Sequence, residues 1–373
     1  MKFNVSSTAL YAVLQALGRV IATKNTMPIL DCFLFNLKDD KLEITASDVE
    51  TKVVATVEVL SAEGAGIIAI DSKRLLESFK ELPEQPLNID INNEMMITVT
   101  YENGHFSLPG QDGSIYPQSR PLGESAVSIT IDSKTIVSGI NRTLFATGND
   151  ELRPVMNGIC FDFQTDSFTF AATDASKLVR IRHNSINVEN PAMFILPQKP
   201  ANLLKAILKG SEEILISFDD KNACFKSSYF DMTCRLLEGR YPNYNGAIPL
   251  QNSRVATIDR LTFLNALKRV SVFSIQGSFL VKLQLADNQI VISAQDIDFA
   301  TSGIETISCQ YDADPLVIGF KASFLIEILA NLTCPTVMLK LEDETRAGLV
   351  VPETNEGDED VVMLLMPMHL NEY

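Results

Sequence analysis

The sequence predicts an α+β protein of three similar domains, each an antiparallel sheet with two helices on one face. Three observations carry that prediction. Apolar strands closing on a small or polar residue and then Asp end at Asp48, Asp174 and Asp296, which lie 126 and 122 positions apart. A strand running into Lys and an apolar helix recurs at Lys73, Lys199 and Lys321 with the same two offsets. An alternating strand leading into a helix recurs at Val5/Leu10, Ile131/Ile136 and Ile258/Phe263, offset by 126 and 127. Chance can supply one such match, but three features on one period require a repeat. The period is that of a domain, far longer than a solenoid unit.

Within each copy the order reads strand, helix, several strands, helix, several strands. The first helices start after Ser6 or Ser7, Asp132 and Asp259, residue types whose side chains accept from free amides at a helix N-terminus. They are predicted over Ser6–Lys24, Ser133–Thr147 and Asp259–Ser274, and the second helices over Asp71–Leu82, Pro197–Gly210 and Gly319–Leu332. Between them, stretches such as Leu87-Asn88-Ile89-Asp90-Ile91 and Ile214-Leu215-Ile216-Ser217-Phe218 alternate with period two and read as half-buried antiparallel strands. Lys38-Asp39-Asp40, Asp219-Asp220-Lys221-Asn222 and Asp287-Asn288 signal turns. Short polar links at Pro121–Ser125 and Leu250–Arg254 place the domains at 1–123, 124–252 and 253–373.

Composition sets the limits. With 46% hydrophobic and 21% charged residues, the 373-residue chain is that of an ordinary folded, soluble protein. Its net charge of −16 argues against wrapping nucleic acid by bulk attraction, since such proteins are usually basic. Cys32, Cys160, Cys224, Cys234, Cys309 and Cys334 show no C-x-x-C pair and read as reduced, mostly buried thiols of a cytosolic protein. No apolar run approaches the roughly 18 residues that span a bilayer. Leu10, Val13, Leu14, Leu17 and Ile21 recur at helical spacing, so the N-terminus reads as an amphipathic helix and not a signal peptide.

Signatures of catalysis are missing. His105, His183 and His369 belong to no H-x-x-x-H or Cys/His cluster, so no metal site is written, and no G-x-S-x-G, Walker A or G-x-G-x-x-G run occurs. The repeated Asp48, Asp174 and Asp296 read as turn or cap residues, although an enzyme built on them is the alternative of a different class. The acidic run Glu353–Asp360 lacks calcium-loop spacing and reads as a solvated hairpin loop. The expectation is a protein with no cofactor and no chemistry of its own.

Charge and the C-terminal tail point elsewhere. The six predicted helices sum to +9, leaving −25 for the rest. A helical face of that sign suits phosphate, with Arg142, Lys205 and Lys209 as candidates on helix charge alone. The tail Val361–Leu370 is the most apolar stretch, and Met366-Pro367-Met368 cannot continue a regular ladder because Pro lacks the N–H. Two thioethers beside a Pro at an edge make an adaptable surface for peptides.

The opening Met1-Lys2-Phe3 with Leu10, Met27-Pro28-Ile29-Leu30, His105-Phe106-Ser107-Leu108, Asn157-Gly158, Ala172-Thr173-Asp174, Gly239-Arg240-Tyr241-Pro242-Asn243-Tyr244 and Met366-Pro367-Met368-His369-Leu370 run the length of the chain. In this set of motifs the sequence closely resembles the bacterial β sliding clamp family, the DNA polymerase III beta subunit. The resemblance implies the DNA clamp fold and a homodimer of three-domain subunits closed head to tail into a ring around duplex DNA. Such a ring is a non-catalytic processivity factor that works in the cytoplasm at the nucleoid. Helices line the hole and sheets form the outer wall. Closure, not affinity, keeps the polymerase near its template. A monomeric peptide-binding scaffold that does not encircle DNA is the alternative.

By matching position, Phe106 and Leu108 meet Val272 and Phe273 across the dimer interface. The implied partner-peptide pocket uses Met156, Thr173, Lys177, Leu178, Pro242, Ala247, Leu364, Met366, Pro367, Met368 and Leu370. It takes Q-L-x-L-F-like motifs from the replicative polymerase catalytic subunit, the clamp loader and repair proteins. Lys24, Lys73 and Lys199 match basic positions that face DNA. The sequence departs from the pattern at Ala175-Ser176-Lys177, where Gly-His-Arg is familiar, and at Gly246 and His369, where Arg is frequent. Pro154 and Val155 occupy a loop where aromatic DNA contacts are familiar.

Overall fold

A computed structural model describes residues 1–38, 41–118, 122–123, 125–208 and 210–370. Asp39 and Asp40 of the first expected turn, Pro121 and Glu124 of the first expected link, and Lys209 lie outside the described residues. The rest divides into two compact units, residues 1–136 with 202–236, and residues 137–201 with 237–373.

The threefold order is present element by element. A strand feeds the first helix of each copy: Lys2–Ser6 into α1 (Ser7–Leu17), Val127–Asp132 into α3 (Ser133–Thr143), and Arg254–Asp259 into α6 (Arg260–Val270). A second strand feeds α2 (Ser72–Phe79), α4 (Gln198–Ile207) and α7 (Ala322–Ala330). The apolar pairs that mark the period are core: Val5, Leu10, Ile131, Ile136, Ile258 and Phe263 are all buried. Ser6 caps α1 by accepting from the Ala9 amide at 3.2 Å, and Asp71 and Asp259 cap α2 and α6 in the same way.

The helices are shorter than periodicity suggested. α1 stops at Leu17, where Gly18 closes its last turn, and Thr23–Thr26 beyond it is polar. A Cβ on Gly18 would sit 3.0 Å from Leu76 Cδ1, so glycine here lets α1 lie close to α2. α3 and α6 end in tight 3₁₀ turns, Leu144–Ala146 and Ser271–Phe273. The one-turn helix α5 (Tyr244–Ala247), capped by Asn243 accepting from the Gly246 amide, is too short to show a period.

Each expected domain was to hold its own sheet, and here the structure differs. The first unit carries a 13-stranded antiparallel sheet in which Phe230–Arg235, of the second copy, pairs with Thr51–Glu58, of the first. The second unit carries an eight-stranded sheet in which Glu359–Leu365, of the third copy, pairs with Lys177–His183, of the second, and a separate four-stranded sheet. Alternation specifies which face of a strand is buried, not which strand lies beside it, so this sharing is invisible to a period-two pattern.

The repeated Asp residues are turn residues. Asp48 Oδ1 accepts from the amides of Glu50 and Thr51, Asp174 Oδ1 from Ser176 and Lys177, and Asp296 Oδ1 from Asp298 and Phe299. Each holds its own hairpin in shape. Asp287 and Asn288, with φ of 51° and 60°, form the two-residue turn between Leu280–Ala286 and Gln289–Asp296. The six thiols are unpaired, and Cys32, Cys160, Cys234 and Cys334 are buried. Among the described residues no helix is long and apolar enough to cross a membrane, and no group of three or more His, Cys, Asp or Glu is placed to hold a metal ion.

Candidate functional site

The expected pocket residues all lie in the second unit, and two strand pairings bring part of the set together. Thr173 faces Leu178 across one hairpin, and Leu178 faces Leu364 across the next. Leu178 and Leu364 belong to an apolar cluster with Cys160, Tyr241, Tyr244 and Leu349, against which Val155 and Ile248 also pack. Pro242 separates the two buried tyrosines, and Ala247 is exposed one helical turn further on. Tyr244 donates to Asp162 Oδ2 at 2.5 Å, which anchors that segment to the sheet. Burial drives the phenol of Tyr241 well above the usual tyrosine range, so it stays neutral.

Beyond Leu365 the tail runs on as an irregular edge. The Met366 amide donates to Ser176 O at 2.9 Å, and the Met368 amide donates to Gly319 O at 2.8 Å. Gly319 is required there, because a Cβ would lie 2.8 Å from both Leu370 Cδ2 and the Met368 carbonyl oxygen. Pro367 fits between two bonded amides without needing one of its own. The Met366 side chain is left 44% exposed, an apolar group offered to solvent beside the buried cluster. Met156 ends a 3₁₀ turn next to Val155, held by the Gly148 amide donating to the Met156 carbonyl at 2.7 Å.

Lys177 differs most from expectation. Its side chain is only 6% exposed, and Nζ donates to Glu327 Oε2 at 2.6 Å while lying 4.3 Å from the Phe324 ring centroid and 5.4 Å from that of Phe145. The ammonium is enclosed by a carboxylate and two aromatic faces, so it is not an open polar rim. Glu327, Phe324 and Phe145 were not found by sequence reading. Glu327 lies 150 residues from Lys177, and no local pattern links them.

The basic candidates divide. Lys24 and Lys73 are exposed, Lys24 on the turn beyond α1 and Lys73 on the first turn of α2. Lys199 is exposed on α4, and Lys205 is half-buried. Arg142 corrects the charge-based expectation. Its Nη1 lies 2.6 Å from Glu359 Oε2 with 12% of the side chain exposed, and a buried, paired guanidinium has no charge to offer phosphate. Of the interface candidates, Phe106 packs edge-on to Phe79 at 6.0 Å, and Leu108 lies two residues further along the same strand. Val272 is 77% exposed, and Phe273 lies against Gly303, where a Cβ would be 2.4 Å from the ring.

Family models of the DNA polymerase III beta subunit match residues 1–120 as the N-terminal domain, 130–243 as the central domain and 245–369 as the C-terminal domain. The chain belongs to the DNA polymerase III beta subunit family. The function of that family, polymerase processivity in DNA replication, is the function of this member. Its three-domain clamp fold is that of solved family members. A DnaN sliding clamp from Pseudomonas aeruginosa bound to griselimycin superposes with a TM-score of 0.94 at 24% identity, covering 99% of this chain and 100% of that one. A sliding clamp from Bacillus subtilis gives 0.92 at 23% identity, with both chains fully covered. The Beta sliding clamp of Pseudomonas putida is 26% identical over 373 residues, 99% of this chain and 100% of its own. In this beta-subunit member the tail and the cluster beside it form the candidate pocket.

Proposed function

We propose that two copies of this chain close head to tail into a ring that encircles duplex DNA without sequence preference, slides along it and tethers the replicative polymerase. Each copy divides into domains at 1–123, 124–252 and 253–373. The observation that carries this reading is a junction rule inside the chain. In two places, the strand following the repeated Asp hairpin takes the last strand of the next repeat as its neighbour: Thr51–Glu58 takes Phe230–Arg235, and Lys177–His183 takes Glu359–Leu365. The third such strand, Thr301–Ser308, is an edge. The last strand of the first copy, Gly104–Asp112, pairs over residues 104–109 with Met96–Tyr101 on one side only, among the described residues. Joining these two edges between copies makes the junction a third time, and a two-fold axis makes it twice. Phe106 and Leu108 then meet the surface carrying Val272 and Phe273.

Lys24, Lys73, Lys199 and Lys205 face the DNA in this reading, and the attraction is weak and salt-sensitive, as sliding needs. The pocket around Leu178, Leu364 and Met366 receives short apolar motifs from the polymerase catalytic subunit, the clamp loader and repair proteins. The chain performs no chemistry, and its place of work is the cytoplasm, on the nucleoid. The test is topological. Protein loaded on nicked circular DNA is retained through gel filtration and is lost when the circle is cut to a linear form. Retention that survives linearisation would sink the proposal.

A further inference from the structure

The pairing of Thr51–Glu58 with Phe230–Arg235 leaves an apolar cavity of about 300 Å³ in the first unit. Its walls include Val13, Ala16 and Leu17 of α1, Ala55 and Phe230 of the paired strands, and Ile207 of α4. Among the described residues that line it, Glu212 is the one that carries a charge.

The repeat tells what the cavity lacks. Ala16 stands 126 residues before Arg142, the offset that relates Leu10 to Ile136 and Asp48 to Asp174. Ala55 faces Phe230 across the first junction, and its counterpart Ile181 faces Val361 across the second. Counting back two residues on each partner strand makes Ser228 the counterpart of Glu359. In the second unit Arg142 fills its place and donates to Glu359 at 2.6 Å. In the first, Ser228 Oγ donates to Glu212 Oε2 at 3.2 Å. A carboxylate therefore reaches the corresponding position, while Ala16 supplies neither the aliphatic stem nor the cation.

We propose that this cavity binds a short alkyl cation, an aliphatic chain of about four to six carbons ending in guanidinium or ammonium. The chain lies on the apolar walls of α1, α4 and the strands, and the head group donates to Glu212. A cation gains there twice, from a charge-assisted bond and from the field of a protein of net charge −16. An anionic or purely apolar molecule of the same length gains at most the burial of its chain.

Methyl-labelled full-length protein titrated with n-hexylguanidinium, n-hexanol and n-hexanoate tests this by NMR. Hexylguanidinium is expected to give saturable shifts at the methyls of Ala16, Ala55 and Ile207, with hexanol about tenfold weaker, the worth of one hydrogen bond to a charged group. Glu212→Gln should bring the two to parity by weakening only the cation. Ala16→Arg should fill the cavity from within, as Arg142 does in the second unit, and abolish the shifts. Hexanol or hexanoate binding as tightly as the cation, no saturable shift with any of the three, or full cation affinity in Ala16→Arg or Glu212→Gln would each overturn the assignment.

Discussion

The two strand junctions are built on one pattern and filled in opposite ways. In the first, Ala16 and Ala55 line an apolar space closed by Phe230, and Val57, two residues along the strand from Ala55, is buried. In the second, the residues at the same offsets are Arg142, Ile181 and His183, the partner strand brings Glu359 and Asp360, and Asp358 directly precedes it. Arg142 pairs with Glu359, Arg180 with Asp360, and His183 Nδ1 lies 3.9 Å from Asp358 Oδ1. Gly139, the counterpart of Val13, admits the Phe170 ring where a Cβ would be 2.4 Å away. The backbone pairing survives this exchange of an apolar filling for a charged one. The fold is therefore specified by strand register and by the buried alternation beneath it, while the filling of the junction is free to vary.

The largest expected effect comes from breaking the charged filling on one side only. Glu359→Ala leaves the Arg142 guanidinium buried without its partner, which costs about 3 kcal/mol. Writing the first junction into the second with Arg142→Ala and Glu359→Ser together removes both charges and should cost clearly less than the single change, despite the larger cavity. Urea titrations followed by circular dichroism compare the two. A double variant weaker than Glu359→Ala would show that the pair itself, and not the avoidance of an orphan charge, holds this junction.

A smaller effect separates the junctions by pH. Burial pulls the imidazole of His183 below its ordinary value of 6.5, and this outweighs the opposing pull of Glu359 and Asp358, while Arg142 adds to the lowering. The neutral form is thus favoured in the folded state. As pH falls through 6.5 the unfolded chain takes up a proton that the folded chain resists, and stability declines by at most about 1.4 kcal/mol per pH unit. His183→Val copies Val57 of the first junction and should flatten that slope between pH 6.5 and 5. An unchanged slope would assign the acid sensitivity to another group, such as Asp358, whose carboxyl is held low by Ser185 and loses its contribution only in stronger acid.

What the sequence makes legible follows from the range of the interaction. Caps at Ser6, Asp71 and Asp259, the hairpin Asp residues and the buried pairs such as Val5/Leu10 depend on neighbours within a few positions, and offsets of 122 to 127 residues show the hairpin Asp residues and the buried pairs three times over. The tail was legible because Pro367 breaks a ladder wherever it stands. Strand sharing between copies was not, since Phe230–Arg235 alternates in the same way beside any partner. Summed helix charge misplaced Arg142 because a sum carries no information about Glu359, 217 residues away. The same distance problem hid Glu327 and Phe324 around Lys177, although the residues of the adjacent cluster, Tyr241 and Tyr244, stood in a recognisable motif.

The smallest effect concerns the hairpins that lead into the two junctions. Asp48 and Asp174 make the same pair of amide contacts, yet the residues after them differ in backbone conformation. Ala175 has φ of 73°, whereas Val49 is not among the residues with positive φ. A β-branched side chain is poorly tolerated in the left-handed region, so the first hairpin avoids it and the second accepts it with an alanine. A Cβ in that region costs about 1 kcal/mol, and glycine removes that cost while adding some entropy to the unfolded chain. Ala175→Gly is therefore expected to stabilise the second unit by about 0.5 kcal/mol, and Val49→Gly, which relieves no strain, to destabilise the first by a similar amount. The opposite signs are what paired thermal melts would read. Equal signs would mean that the two Asp hairpins share one backbone conformation, and the junctions would then differ only in the side chains that fill them.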